Sequence, residues 1–97
     1  MLGRKQQAMT ADRAAELAIV ALGELASAPE LASRFFSLTG LDPSDIRDGA
    51  GKPEFQAAVL EYILGDESLL LSLCAQHRWQ PQEVAAASSI LRGERPE

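Results

Sequence analysis

The sequence predicts an all-α protein that folds as a single compact domain of about six helices. Three observations support this prediction. Apolar residues recur at the three- and four-residue spacing of amphipathic helices, and no segment needs the alternating spacing of a strand. Proline or glycine punctuates each apolar segment. The length of 97 residues and the hydrophobic share of 46% are typical of one packed domain.

Each predicted helix has a start signal, which is a capping side chain, a proline in the first turn, or both. These signals are Thr10, Ser27 with Pro29, Asp42 with Pro43, Pro53, Asp66 and Pro81. Ser27 and Glu30 have the spacing of a capping box, in which each side chain accepts a hydrogen bond from the backbone amide of the other residue. Gly40 is expected to end the second helix in the left-handed conformation.

The inward faces of these helices predict the core and the limits of the domain. We expect residues 10–91 to form the helical domain, residues 1–9 a flexible N-terminal segment and residues 92–97 a flexible C-terminal tail. Met9 is an alternative start to Met1. The predicted core consists of Leu17, Leu22, Leu25, Phe35, Leu41, Phe55, Val59, Ile63, Leu69 and Leu73.

The hydrophobic register of the first half recurs in the second half at an offset of 38 residues. We therefore expect two similar three-helix halves. Two repeats are too few for an open solenoid, so the halves must pack against each other, or the molecule must dimerise. The matched pairs are Leu17 with Phe55, Ala21 with Val59, Leu22 with Leu60, Leu25 with Ile63, Leu31 with Leu69, Phe35 with Leu73, Leu41 with Trp79, Pro43 with Pro81 and Ile46 with Val84.

The charge balance is acidic and argues against nucleic acid or membrane partners. The chain has 9 basic and 14 acidic residues, a net charge of −5. Between Thr10 and Ile90 the counts are 5 and 12, so this part alone carries −7. Such a body repels phosphate backbones and anionic lipids. With one cysteine, Cys74, no signal peptide and no long apolar run, the expected location is the cytoplasm.

Two short motifs suggest ligands but lack the residues that the ligands require. The GAGK sequence at 49–52 resembles a phosphate loop, but the first glycine and the final serine or threonine of that loop are absent, and no strand precedes it. Asp42, Asp45 and Asp48 do not have the spacing of a calcium loop, and helix capping accounts for Asp42. We expect no bound nucleotide, metal or other cofactor.

Cys74 and His77 are the only cysteine and histidine, and they stand three residues apart on one predicted helix. That spacing permits contact, but a surface helix supplies neither an oxyanion hole nor an acid to orient the histidine. Cys74 is better explained as a buried core thiol, and His77 as a residue near the end of its helix that interacts with the helix dipole and the last carbonyls. The sequence therefore predicts a protein that is not an enzyme.

A DNA-binding regulator is the alternative to a protein-binding module. The second helix, the LTG turn and the third helix have the order of a helix-turn-helix. The would-be recognition helix PSDIRDG is acidic, which disfavours contact with phosphates. The equivalent segment in the second half, PQEVAAASSILRGER, is more favourable for contact with DNA phosphates, because it ends in the basic residues Arg92 and Arg95.

The favoured function is a non-catalytic protein–protein interaction or adaptor module, with an unidentified protein or a second copy as partner. Phe36, Tyr62 and Trp79 are the aromatic residues outside the predicted core, and a small domain seldom buries every large side chain. Trp79 beside Arg78 has the composition of an interface hot spot. The competing interpretation is that Trp79 packs against the core at the end of the fifth helix.

Two phrases, SRFFSLTGLDPSDIR and FQAAVLEYILGDESLLLSLC, carry a resemblance to a known family. From Ala14 to Leu91 the chain resembles a family of small bacterial proteins known only as a domain of unknown function. The resemblance implies a compact all-helical fold and assigns no activity, cofactor or site residue. The chain departs from the family pattern at Arg78-Trp79, where a Gly-Leu pair would match Gly40-Leu41. We expect a looser helix end there, because arginine adopts the left-handed conformation less readily than glycine.

Overall fold

Six helices account for most of residues 8–94, the part of the chain that the computed structural model describes. No strand occurs among these residues, so the predicted all-α class is confirmed for them. The predicted flexible segments, 1–9 and 92–97, fall largely outside the described residues. The helices are α1 (Ala11–Ser27), α2 (Pro29–Thr39), α3 (Pro43–Gly49), α4 (Pro53–Leu64), α5 (Glu67–His77) and α6 (Pro81–Leu91).

Helices α1, α4 and α6 form the centre of the fold, and each of the three packs against the other two. Small residues make this close packing possible, because Ala14, Ala18 and Ala21 occupy the buried face of α1. Helix α2 packs on α1, α3 on α4, and α5 against both α4 and α6. The centre therefore combines elements from opposite ends of the chain.

The predicted core is correct in part. Six of its ten residues are buried: Leu17, Leu25, Phe35, Val59, Ile63 and Leu73. The other four, Leu22, Leu41, Phe55 and Leu69, are half-buried at the margin of the core, so their full burial was wrongly predicted. The prediction omitted Leu60, which is completely buried because it lies on the face of α4 that packs against the other central helices.

Most predicted caps are present, and one is wrong. The side chains of Thr10, Asp42 and Asp66 accept hydrogen bonds from the first-turn amides of α1, α3 and α5. Ser27 does not cap α2. It is the last residue of α1, and its hydroxyl donates to the carbonyl of Glu24 at 2.8 Å. The backbone accounts for the difference, since α1 continues through Ser27 and leaves Ala28 as the N-cap of α2.

Helices α2 and α5 both end in the left-handed conformation, at Gly40 with φ 77° and at Arg78 with φ 61°. After Arg78, the amide of Trp79 donates to the carbonyl of Cys74 at 3.0 Å. This is the hydrogen bond of a Schellman motif that closes a turn of six residues. After Gly40, the amide of Leu41 donates instead to the Thr39 hydroxyl at 3.3 Å. Arg78 thus takes the strained conformation expected from the sequence, and its helix end keeps a regular hydrogen-bonded turn.

Replacing Arg78 with glycine is expected to raise the free energy of unfolding by about 0.5–1 kcal/mol. The left-handed conformation costs a side chain with a Cβ more than it costs glycine, and the greater freedom of glycine in the unfolded chain offsets part of the gain. Urea unfolding followed by circular dichroism measures the difference. Arg78→Ala is the control, because it removes the guanidinium and keeps the Cβ. Equal stabilisation by both variants would show that charge, and not backbone strain, is responsible.

The predicted halves differ in how their last helices pack. Helix α6 has 11 residues and packs against both α1 and α4, whereas α3 has 7 residues and packs mainly on α4. Within residues 8–94, no helix combines the length and the apolar content needed to cross a bilayer.

Candidate functional site

Three aromatic rings from two helices form a cluster at the surface, here called the aromatic cluster: Phe35, Phe36 and Tyr62. Phe35 is 1% exposed, and each of the other two rings packs against it. Its ring centroid is 5.7 Å from that of Phe36 and 5.0 Å from that of Tyr62, and the Tyr62 ring meets it edge-on at 88°. Phe36 and Tyr62 are half-buried. The structure therefore brings two of the predicted contact residues together around one core ring.

The position of the cluster follows from how α2 is held. Helix α2 starts at Pro29, directly after α1, and packs on that helix. At its end, the Thr39 hydroxyl donates to the carbonyl of Phe35 at 2.7 Å and closes the last turn. Arg34 lies 3.9 Å from the carboxylate of Asp66, the N-cap of α5. These contacts fix Phe35 against Tyr62 of α4, so the outer rings rest on a rigid base.

Trp79 lies elsewhere and is buried. It follows α5 and is only 6% exposed, which agrees with the competing interpretation, that Trp79 packs against the core, and not with a partly exposed Trp79. The Schellman turn after Arg78 directs the next side chain back toward the helix, which is where such motifs place an apolar residue. Arg78 itself is exposed and has no carboxylate partner among residues 8–94. Arg78 therefore has no exposed tryptophan beside it.

His77 joins α5 to α1 and covers one side of Trp79. Its ring stacks on the indole with centroids 4.9 Å apart and planes inclined by 25°. Its Nε2 atom is 3.2 Å from Oε2 of Glu24, and the side-chain amide of Gln76 donates to the same oxygen at 3.1 Å. His77 was expected to interact with the carbonyl end of its own helix. Its side chain is instead used in a contact between helices.

Cys74 is buried, and its surroundings disfavour the thiolate form of its side chain. Burial, and to a lesser extent the negative charge of Glu83, raises the pKa of the Cys74 thiol. A raised pKa leaves little of the reactive thiolate at neutral pH. The side chain of His77, three residues on, is hydrogen-bonded to Glu24. Among residues 8–94, the hydrogen-bonded partner found for the His77 ring is thus Glu24 and not the Cys74 thiol.

Cys74 is expected to react with a disulfide reagent in the folded protein at least about tenfold more slowly than in the urea-unfolded protein. Both its burial and its raised pKa act in this direction. The measurement is the rate of thionitrobenzoate release at pH 8, with and without urea, and free cysteine in the same urea concentrations corrects for the effect of urea on the reagent. Equal rates in the two states would mean that the thiol is accessible in the native fold.

The GAGK segment forms the junction between α3 and α4. Gly49 is buried as the last residue of α3, and a Cβ at this position would lie 3.1 Å from the ring of Phe55. Lys52 is the N-cap of α4. A larger residue at this position would therefore require the Phe55 ring to shift by a few tenths of an ångström. Within the described part of the chain, no three His, Cys, Asp or Glu side chains gather as metal ligands.

A comparison with known protein families gives one match. Residues 11–94 match the family described as "Protein of unknown function (DUF3572)". The chain belongs to this family. The match covers all six helices and includes both phrases on which the resemblance rests, so the expected family membership and all-helical fold are confirmed. No curated protein and no solved structure matches the chain.

Sequence reasoning missed two features of this family member. Phe35 was expected only as a core residue, whereas it also holds Phe36 and Tyr62 together. The Glu24–His77 contact was not foreseen, because it joins residues 53 positions apart and neither residue type nor spacing predicts it. Periodicity identified Phe35 as the inward residue of α2, but it does not reveal that Phe35 meets Tyr62 of another helix.

Proposed function

We propose that this domain is a non-catalytic protein–protein interaction module and that Phe36 and Tyr62 lie at the centre of its contact surface. The observation that carries the proposal is the pair of half-buried rings that both pack against the buried Phe35 ring. Aromatic residues are enriched in interfaces. Rings that are already held in place lose little conformational entropy when a partner covers them.

The arrangement of reactive groups supports a non-catalytic role. Cys74 is buried and its pKa is raised, while His77 is occupied with Glu24 and Trp79. Catalytic groups converge in a pocket within reach of a substrate. We place the module in the cytoplasm, because a lone free cysteine suits a reducing compartment.

Photo-crosslinking in the native cell tests the contact surface. Benzoylphenylalanine is placed at position 36 or 62, where it replaces another aromatic residue. Position 19 is the control, because Ile19 is an exposed apolar residue on α1 and single exposed apolar residues are ordinary features of a surface. We expect covalent adducts with the same protein from positions 36 and 62 and none from position 19. Absence of adducts at 36 and 62, or equal yields at all three positions, contradicts the proposal.

The helix-turn-helix alternative has weaker support. Helix α3 has seven residues and carries Asp45 and Asp48 against Arg47. In the second half, Arg92 contacts the carboxylates of Glu61 and Glu94, which reduces its availability to phosphates. Arg95 lies outside the described residues. Duplex binding at low salt that weakens steeply as salt increases would favour this alternative over a protein partner.

We also propose that the chain consists of two similar halves related by the 38-residue offset. Support comes from the helix ends: Gly40 and Arg78 are both left-handed, and Asp42 and Gln80 both begin capping boxes, with Asp45 and Glu83. The different packing of α3 and α6 weighs against exact symmetry. Superposition of residues 10–46 on residues 48–84 in a crystal structure tests the proposal, which fails if the three helices of each half do not overlay together.

A further inference from the structure

The outer face of α2 is left uncovered by the described part of the fold. Helix α2 packs mainly on α1, and its buried residue is Phe35. Six residues on the other side of the helix are all exposed and line one shallow groove, here called the α2 outer face: Pro29, Glu30, Ser33, Arg34, Ser37 and Leu38. This surface contains neither Phe36 nor Tyr62, so it differs from the aromatic cluster.

Two oppositely charged side chains lie on the α2 outer face, one helical turn apart. Glu30 is exposed and has no ion-pair partner among residues 8–94. The side chain of Arg34 is 64% exposed, and its contact with Asp66, at 3.9 Å, is long for an ion pair. Glu30 and Arg34 are not paired with each other, although a spacing of four residues permits such a pair. Both charges are therefore accessible to a partner.

The uncharged residues of the α2 outer face suit contact with another helix. Ser33 and Ser37 lie one turn apart on this face, and small side chains allow two helices to approach closely. Leu38 is 66% exposed, which makes it the most exposed large apolar side chain in residues 8–94. The face thus combines small residues, one open apolar side chain and one charge of each sign.

A second copy of this chain complements that pattern. In a two-fold symmetric pair both copies contribute the same surface, and the two α2 helices can run antiparallel. When the two-fold axis passes midway between Glu30 and Arg34, each of these residues lies about 3 Å along the helix from that point. Glu30 of each copy then faces the partner's Arg34, and the contact contains two identical ion pairs. Leu38 extends the contact toward the first turn of the partner's α2.

We propose that the chain forms a two-fold symmetric homodimer through the α2 outer face, with ion pairs between Glu30 of one copy and Arg34 of the other. The proposal goes beyond the proposed function, because it concerns a surface that the aromatic cluster does not use. An 11-residue helix offers a small interface, so we expect weak association with a Kd on the order of 100 µM.

Charge exchange between two variants tests the predicted pairing. Glu30→Arg and Arg34→Glu should each weaken self-association of the 97-residue chain by about tenfold or more, because each places like charges opposite one another. An equimolar mixture of the two variants should recover wild-type association, since the mixed dimer has opposite charges at both contacts. Both variants remain negative overall, so general attraction between them does not produce this recovery. Sedimentation equilibrium up to about 1 mM protein covers the expected range of Kd.

Matched variants separate the α2 outer face from the rest of the surface. Glu54→Arg changes the net charge as much as Glu30→Arg, at an exposed residue of α4, and should not weaken association. Leu38→Ser should weaken association without a change in charge, whereas Leu71→Ser, at a 51% exposed residue of α5, should not. Circular dichroism confirms that each variant is folded, and Leu38→Ser provides the test if Arg34→Glu unfolds.

Four outcomes overturn the inference. They are a wild-type chain that stays monomeric at about 1 mM, a mixture of the two charge variants that stays monomeric, equal weakening by Glu54→Arg and Glu30→Arg, and a dimer that Phe36→Ser removes but Glu30→Arg does not. The last outcome would mean that self-association uses the aromatic cluster instead. Photo-crosslinking at positions 36 and 62 tests the proposed function separately, because neither position belongs to the α2 outer face.

Discussion

Replacing Phe35 with alanine is expected to lower the free energy of unfolding by about 3–5 kcal/mol. The side chain is among the largest that are fully buried, and its ring contacts both Phe36 and Tyr62. Its removal leaves a cavity between α2 and α4 that the neighbouring rings cannot fill without leaving their own positions. The total stability of a domain of this size is about 5–15 kcal/mol, so much of the population is expected to unfold on mild heating.

Urea unfolding followed by circular dichroism measures this loss, with Phe36→Ala as the matched control. The adjacent ring has the same size but is half-buried, so its removal should cost less than half as much. A loss below about 1 kcal/mol for Phe35→Ala would show that the site collapses easily. In that case Phe35 would not be a rigid base for the contact surface.

Replacing Trp79 with alanine is expected to cost a similar amount, about 3–5 kcal/mol. The indole is buried after α5, and His77 stacks on it. Its loss removes a large apolar contact and exposes the end of α5. It also removes the surface on which His77 rests while contacting Glu24, so the junction between α5 and α1 should weaken as well.

Circular dichroism in urea is the measurement here too, because the variant lacks the only tryptophan. Leu71→Ala is the control: Leu71 is 51% exposed on α5, and its truncation should change stability by less than about 0.5 kcal/mol. If Trp79→Ala keeps wild-type stability but loses association with a partner, Trp79 belongs to an interface after all. Unfolding supports the interpretation that it is a core residue.

Helix starts were the most predictable part of the fold, because they depend on neighbouring residues. Asp42 accepts hydrogen bonds from the amides of Ser44 and Asp45, all within one turn. The hydrogen bond from the Ser44 hydroxyl, together with these amide bonds, holds the pKa of Asp42 below its usual value. The Ser27 prediction failed for an equally local reason. A serine hydroxyl can bond to a preceding carbonyl as well as to a following amide, and the sequence does not specify which.

Burial was less predictable, because it depends on which helices meet. Leu22 and Leu60 are equivalent in the predicted repeat, yet Leu22 is half-buried and Leu60 is fully buried. Helix α4 contacts both α1 and α6 closely, whereas Leu22 lies at the edge of the buried face of α1. Periodicity identifies an apolar face but does not reveal how many neighbours cover it.

The candidate site was predicted in its residue types but not in its arrangement. Phe36 and Tyr62 were identified as aromatic residues outside the core, and they do lie together. Trp79 was grouped with them, although the turn after Arg78 directs its side chain inward. That inward direction could have been inferred from the Schellman pattern, because the apolar residue after a left-handed helix end usually packs back onto the helix.

The packing of α1 against α6 has a consequence for protein synthesis. The ribosome makes the buried residues Ala14 and Leu17 of α1 early, whereas Val84 and Leu91, buried residues of α6, are made near the end. Until those residues emerge, the apolar face of α1 lacks part of its cover and offers a binding surface to chaperones. We therefore expect the domain to complete its folding only after translation has passed α6, and a nascent chain stalled before Pro81 to remain sensitive to protease.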